Sequence, residues 1–184
     1  EIDRSKSRDR KVVWIQDPRG GAGKSTFLKY LCFGQKDWNV KKLPIDKPDR
    51  TRMAVCKIGQ KEDVDIFAFD FTRTSGEDTS TNDLFQVVEE IKNGHVVSVM
   101  YGNPMEVAMT SPHILIFTNE SISSYKSYLS MDRWEAYQIK DNELYRISKN
   151  WDYDPHFSGM QLEKLENSEA QVPTPRPENE EKKT

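Results

Sequence analysis

Short apolar blocks alternate with helix-patterned stretches along the first 120 or so residues of the chain. Val12-Val13-Trp14-Ile15 is a compact apolar run of the kind that forms a buried strand. It leads into DPRGGAGKS and then a helical pattern from Thr26 to Leu31. A second strand is predicted at 38–43 and a helical stretch at 47–57. The run Val64-Asp65-Ile66-Phe67-Ala68-Phe69 predicts a third strand, ending at Asp70. Residues 83–92 carry apolar positions at helical spacing, and Asn93-Gly94 stops them. Two β-rich stretches follow at 95–101 and 105–109, then a buried strand at 113–117 that ends at Thr118-Asn119. A helix-like stretch at 123–128 and further β-like residues up to Ile147 complete the pattern. Strands alternating with helices predict an α/β domain on a mostly parallel sheet. Ligands of such a sheet lie beyond the carboxyl ends of its strands. The glycine-rich loop, Asp70 and Asn119 all fall at such ends. No internal repeat is present.

Composition narrows the picture. The 184 residues suit one domain, with a polar stretch at 1–10 read as a linker or short oligomerisation segment. The domain itself runs from 11 to 150, and 151–184 is a polar tail, rich in Pro and Glu and expected to be disordered. Mean hydropathy is -0.80, in keeping with polar ends around a compact centre. No apolar run approaches the roughly 18 residues of a membrane span, so no membrane partner is expected. The charged N-terminus carries no secretory leader. Two cysteines, Cys32 and Cys56, make no disulfide framework and predict a reducing, intracellular setting. A net charge of -3 argues against one large basic face but leaves room for local basic elements.

The candidate chemistry lies in the loop after the first strand. Gly20, Gly21 and Gly23 let the backbone turn its N–H groups inward, and the following helix adds its positive end. Lys24 is placed to reach outer phosphates and the Ser25 hydroxyl to ligate Mg²⁺. Gly20, Gly21, Ala22, Gly23, Lys24, Ser25 and Thr26 are therefore the predicted nucleotide-binding residues. Pro18 stands where the usual spacing has a glycine, so the loop reads as one residue longer. A glycine turn with a chance GKS is the competing reading. Asp70 is placed to hold the Mg²⁺ water shell, against a turn-capping role. Phe71 occupies the place where many such ATPases carry a second acid, and Glu77 or Asp78 could replace it. Asn119 is placed to hydrogen-bond a γ-phosphate and the attacking water, or simply sits in a turn. Arg133, expected to be exposed, is either an arginine finger for a neighbouring subunit or a surface partner of Asp132.

The ordered set DPRGGAGKS, IFAFDFTR, NGHVVSVMYGNP, and ILIFTN followed by SMDRW resembles the superfamily 3 helicase domain of replication initiator (Rep) proteins of small circular single-stranded DNA viruses and related plasmids. The resemblance covers roughly residues 10–140. It implies a P-loop NTPase of AAA+-like fold, with a mostly parallel five-stranded sheet flanked by helices, assembled as a ring, usually a hexamer. It implies hydrolysis of ATP with Mg²⁺, coupled to movement along single-stranded DNA. By position, Lys24 and Ser25 belong to Walker A, Asp70 to Walker B, Asn119 is the motif C asparagine and Arg133 the finger. Residues 92–104 match a hairpin that touches DNA, with Lys92, His95 and Tyr101 as contacts, although the lysine usual near its tip is replaced by Val99-Met100-Tyr101. Full-length relatives begin with a nicking endonuclease module. The three histidines, His95, His113 and His156, are too far apart to supply its metal pair, and Tyr137-x-x-Lys140 stands in the wrong place. The resemblance thus implies the C-terminal piece of a longer protein, working in the host nucleus if the virus is eukaryotic. Two rivals remain: a nucleotide-controlled DNA-binding assembly platform with negligible turnover, and a small-molecule kinase. The kinase reading lacks a cluster of lid arginines after Asp70.

Overall fold

The computed structural model describes residues 10–71, 81–148 and 162–165. The strands are β1 (Val12–Gln16), β2 (Val40–Lys42), β3 (Ile66–Phe71), β4 (His95–Ser98), β5 (Met105–Ala108), β6 (His113–Thr118), β7 (Trp134–Lys140), β8 (Glu143–Ile147) and β9 (Leu162–Lys164). The helices are α1 (Lys24–Phe33), α2 (Pro48–Gly59) and α3 (Thr81–Lys92). Seven strands form one sheet in the order β2-β3-β6-β1-β7-β8-β9, and β4 pairs with β5 in a separate hairpin. The pairings from β2 across to β7 are parallel, while β7–β8 and β8–β9 are antiparallel.

The expected five-stranded, AAA+-like P-loop NTPase core is corrected by this topology. The sheet is mixed, it has seven strands, and α1, α2 and α3 are the α-helices among the described residues. The cause is local. Asp141 and Asn142 take positive φ values of 51° and 62°, the two-residue turn whose twist matches a tight hairpin. The chain therefore folds straight back along β7. Residues 162–164, within the expected disordered tail, then pair with β8. Residues 1–9, 72–80, 149–161 and 166–184 lie outside the described residues.

Two other expectations need adjustment. The predicted strand at 38–43 shortens to Val40–Lys42. Gln35 explains this: its amide donates to the carbonyls of Leu31 and Trp38 and accepts from the Trp38 N–H, fixing the approach as a loop. The helix-like stretch at 123–128 is a single 3₁₀ turn, Ile122–Ser124. The Ser121 hydroxyl accepts the Ser123 N–H there, and serines that bond the backbone locally compete with helix continuation.

Alternation along the strands sorts side chains between the two faces. Ile66, Ala68, Leu115 and Phe117 meet Leu28 and Leu31 of α1 on one face. Phe67, Phe69, Phe71, Ile114 and Ile116 meet α2, α3 and the β4–β5 hairpin on the other. That second core contains linked aromatics. The Trp14 ring lies 4.9 Å from Tyr125 and 5.8 Å, edge-on, from Trp134, and Phe85 stacks on Tyr128 at 5.2 Å. Each such pair adds roughly 0.5–1.5 kcal/mol beyond burial. Helices α2 and α3 are also tied by Arg52, whose Nε and Nη2 each donate at 2.8 Å to the Glu90 carboxylate. No described helix is long and apolar enough to cross a membrane.

Gly94 turns the chain from α3 into β4 with φ at +77°, and a Cβ there would lie 2.4 Å from the Met109 carbonyl oxygen. Gly94→Ala is therefore expected to cost about 1–3 kcal/mol or more, from backbone strain and the clash together. Urea denaturation checks this, and unchanged stability would show that the hairpin is not pinned here.

Candidate active site

Each parallel strand from β2 to β1 carries a polar residue at or just past its carboxyl end. They are Lys42 (β2), Asp70 (β3), Asn119 (β6) and Asp17 (β1). Alternation decides where they point. Asp70 continues the Ile66, Ala68 series and Asn119 the Leu115, Phe117 series, both on the α1 face. The neighbouring Phe71 turns the other way, into the aromatic core, with its ring 6.1 Å from Trp14 and 6.3 Å from Tyr125. The place of a second acid is thus taken by a buried core residue. Glu77 and Asp78 lie outside the described residues.

The loop between β1 and α1 runs through three left-handed glycines: Gly20 (φ 74°), Gly21 (φ 84°) and Gly23 (φ 80°), the last capping α1. Residues with a Cβ adopt this region only under strain, which is why the loop needs glycine there. Nothing lies within 4 Å of where a Cβ would stand on any of the three, so the loop is open on that side. Its inner side is held by Asp17. The Asp17 carboxylate accepts from the Gly20 N–H at 3.0 Å, the Ala22 N–H at 3.1 Å and Lys24 Nζ at 3.0 Å. Lys24 Nζ also donates to Asn119 Oδ1 at 2.5 Å. Ser25 Oγ donates to Asp70 Oδ2 at 3.4 Å, and Lys42 Nζ meets the same oxygen at 3.1 Å. Thr26 is exposed on the first turn of α1.

The structure therefore brings Lys24, Ser25, Asp70 and Asn119 to one edge of the sheet, beside Gly20–Gly23. It adds Asp17 and Lys42, which sequence reasoning passed over. The signal was available for Asp17, just past the first apolar run, but not for Lys42, which falls inside the strand predicted at 38–43 and ends it only once the strand shortens to Val40–Lys42. Among the described residues, no group of three or more His, Cys, Asp and Glu is poised to hold a metal. Ser25 Oγ and Asp70 are nonetheless oxygen donors of the kind Mg²⁺ accepts when phosphate and water complete its shell. A groove of about 380 Å³ opens from Ser25 between α1 and β2, with Lys29, Lys41 and Lys42 along it.

Other predicted residues stand elsewhere. Arg133, expected to be exposed, is buried, with 5% of its surface accessible, in the 3₁₀ turn before Trp134. Trp134 inserts into the aromatic core, which draws the arginine against α3. Its Nε lies 3.3 Å from Glu89, and neither a surface pair with Asp132 nor an outward reach is present. Lys92 is likewise buried, and its Nζ donates to the Pro112 carbonyl at 2.9 Å, so it does not face a ligand. His95 remains exposed but is engaged by Glu106 at 2.6 Å. Tyr101 is 78% exposed, at the tip of the β4–β5 hairpin, with φ 58°.

No protein-family model matches the chain. The chain is similar to Para-Rep C3 of Milk vetch dwarf C3 alphasatellite, with 29% identity over 112 residues. The match covers 60% of this chain and 35% of that protein, so the chain spans about a third of the relative's length.

The site has a titration signature. Burial by itself would raise the Asp17 carboxyl, but the hydrogen bond and charge of Lys24, with the amides of Ala22 and Gly20, outweigh it and hold the group below its ordinary value. A carboxyl whose folded value lies below its unfolded value of about 3.9 stabilises the fold above that pH and loses the contribution as pH falls through the folded value. Asp17→Asn is therefore expected to flatten the melting-temperature profile between about pH 5 and pH 2. Equal acid slopes for the two proteins would show that Asp17 is not held as an anion.

Proposed function

We propose that this chain is the ATP-hydrolysing motor of a rolling-circle replication initiator and moves along single-stranded DNA. The observation that carries the reading is the meeting of Lys24, Ser25, Asp70 and Asn119 beside an open glycine loop at the start of α1. Backbone amides and a helix N-terminus suit a phosphate chain, and Lys24 supplies a movable positive charge at its outer end. Ser25 and Asp70 would hold Mg²⁺, which when bound shields the charge of the phosphates. Asn119, already touching Lys24, is placed to orient a γ-phosphate and a water. The similarity to Para-Rep C3 supports the replication role.

Single-stranded DNA and further copies of the chain, in a ring, are the proposed partners. Tyr101 at the hairpin tip offers a flat face on which a base can stack, a contact worth about 1–3 kcal/mol. Arg133, buried against Glu89, would have to leave that ion pair to serve a neighbouring subunit. A second reading, an assembly platform that binds nucleotide without turnover, is favoured by one observation: Phe71 fills the second-acid position with core.

Hydrolysis of ATP, with and without single-stranded DNA, tests the reading. Lys24→Arg is the informative variant, because Lys24→Ala would strip Asp17 of its buried counter-ion and confound activity with folding. The guanidinium keeps the charge but not the compact point contact. We expect DNA-stimulated turnover, a loss of about 10²-fold or more in Lys24→Arg, and lost stimulation with intact basal rate in Tyr101→Ala. Tight ATP binding without turnover supports the platform. A folded chain that binds no ATP sinks both readings.

A further inference from the structure

We infer that Asp17 is a built-in anion, whose carboxylate fills the place in the glycine loop that a phosphate group takes, so that a nucleotide enters by expelling it. The inference rests on the reading of this loop as a phosphate site. Its basis is the set of donors that Asp17 holds. A loop of this kind offers an anion successive backbone amides and one lysine. Asp17 takes both kinds at once: Oδ1 the Gly20 N–H, Oδ2 the Ala22 N–H and Lys24 Nζ. Its side chain is 3% exposed, against 10% for Lys24, so the pair is sealed beneath the loop.

The Gly20 N–H is shared between the Asp17 carboxylate at 3.0 Å and the Asp17 backbone carbonyl at 3.1 Å, and it keeps the carbonyl if the carboxylate leaves. A phosphate oxygen and the Asp17 carboxylate therefore compete chiefly for the Ala22 N–H and Lys24 Nζ, since an amide N–H makes one strong hydrogen bond along its axis. Two anions in one nest would also repel across a short, poorly screened distance. The outer side of the loop is open to an entering ligand, because the positions outside Gly20, Gly21 and Gly23 are empty to 4 Å. Lys24 is not stranded by it, since its Nζ keeps Asn119 Oδ1 while it changes anion. Every phosphate ligand meets the same competitor. Ligands with few other contacts, such as inorganic phosphate, are therefore held out, while a triphosphate compensates through Lys24, Ser25 and a bound cation. The site's residue type thus sets a threshold of ligand charge.

The test is calorimetric titration of the full chain and its Asp17→Asn variant with two probes, a non-hydrolysable ATP analogue with Mg²⁺ and inorganic triphosphate. Asparagine keeps the size of the side chain and one acceptor but removes the competing charge. The expected result is at least tenfold tighter binding of both probes by the variant. Inorganic triphosphate must share the gain, because the competition concerns the phosphates alone. Equal or weaker binding by a folded variant, with the wild type binding normally, overturns the Asp17 inference and leaves the phosphate site standing. Silence of both proteins toward both probes overturns the inference together with the phosphate reading. Should the variant not fold, the wild-type Asp17 13Cγ resonance decides. On saturation with the analogue the carboxyl is expected to titrate at higher pH, having lost its donors. An unmoved titration would show that Asp17 stays in the loop as a clamp and would overturn the inference.

Discussion

The arrangement of this site depends on one carboxylate. Asp17, the first residue after β1, satisfies two amides of a loop whose glycines run left-handed, and it neutralises Lys24. Without an internal acceptor, a concave run of N–H groups beside a poorly exposed ammonium would carry uncompensated positive charge and polar groups short of partners. Lys24 in turn reaches Asn119 at the end of β6. A single ionic contact therefore couples the first strand, the glycine loop, the first helix and the adjacent strand. Lys42 plays the mirror role on the other side, neutralising Asp70 beside Ser25. The side chains of the site thus balance one another, anion on cation at each end.

Much of this placement was legible in the chain. A polar residue at or just past the end of a short apolar run must emerge at the end of the strand, which is why the chain itself places Asp70 and Asn119 there. The glycine loop declared itself by its flanking strand and helix. Asp17 lies one polar residue beyond its apolar run, and Lys42 follows Lys41 inside the strand predicted at 38–43, so the pattern marks their places less sharply. The orientation of Phe71 was also readable, since alternate residues of a strand covered on both faces must enter different cores.

What sequence did not disclose was burial of charge and the return of the chain. Lys92 and Arg133 read as surface cations, yet one closes a loop onto the Pro112 carbonyl and the other packs beside Glu89. Long side chains bury their stems wherever a carbonyl or carboxylate waits at the end, and only tertiary structure supplies that partner. The β-character up to Ile147 was legible, but its antiparallel return and the pairing of 162–164 were hidden for a different reason. Asp141-Asn142 is a hairpin turn signal, but the strand it opens, Glu143–Ile147, buries only Ile147, and its outer neighbour is three residues of a polar tail. Such edge strands are held by backbone pairing more than by apolar pattern.

The central claim is that the ends of β1, β2, β3 and β6 form one anion-binding site centred on the glycine loop. Backbone amide chemical shifts of the 15N-labelled chain, followed while a Mg²⁺-bound non-hydrolysable ATP analogue is added, test it most directly. The account predicts that the largest changes fall on Gly20, Ala22 and Lys24, with Lys42, Asp70 and Asn119 next and the α2 face unmoved. Saturable binding whose largest changes lie away from the loop would contradict it.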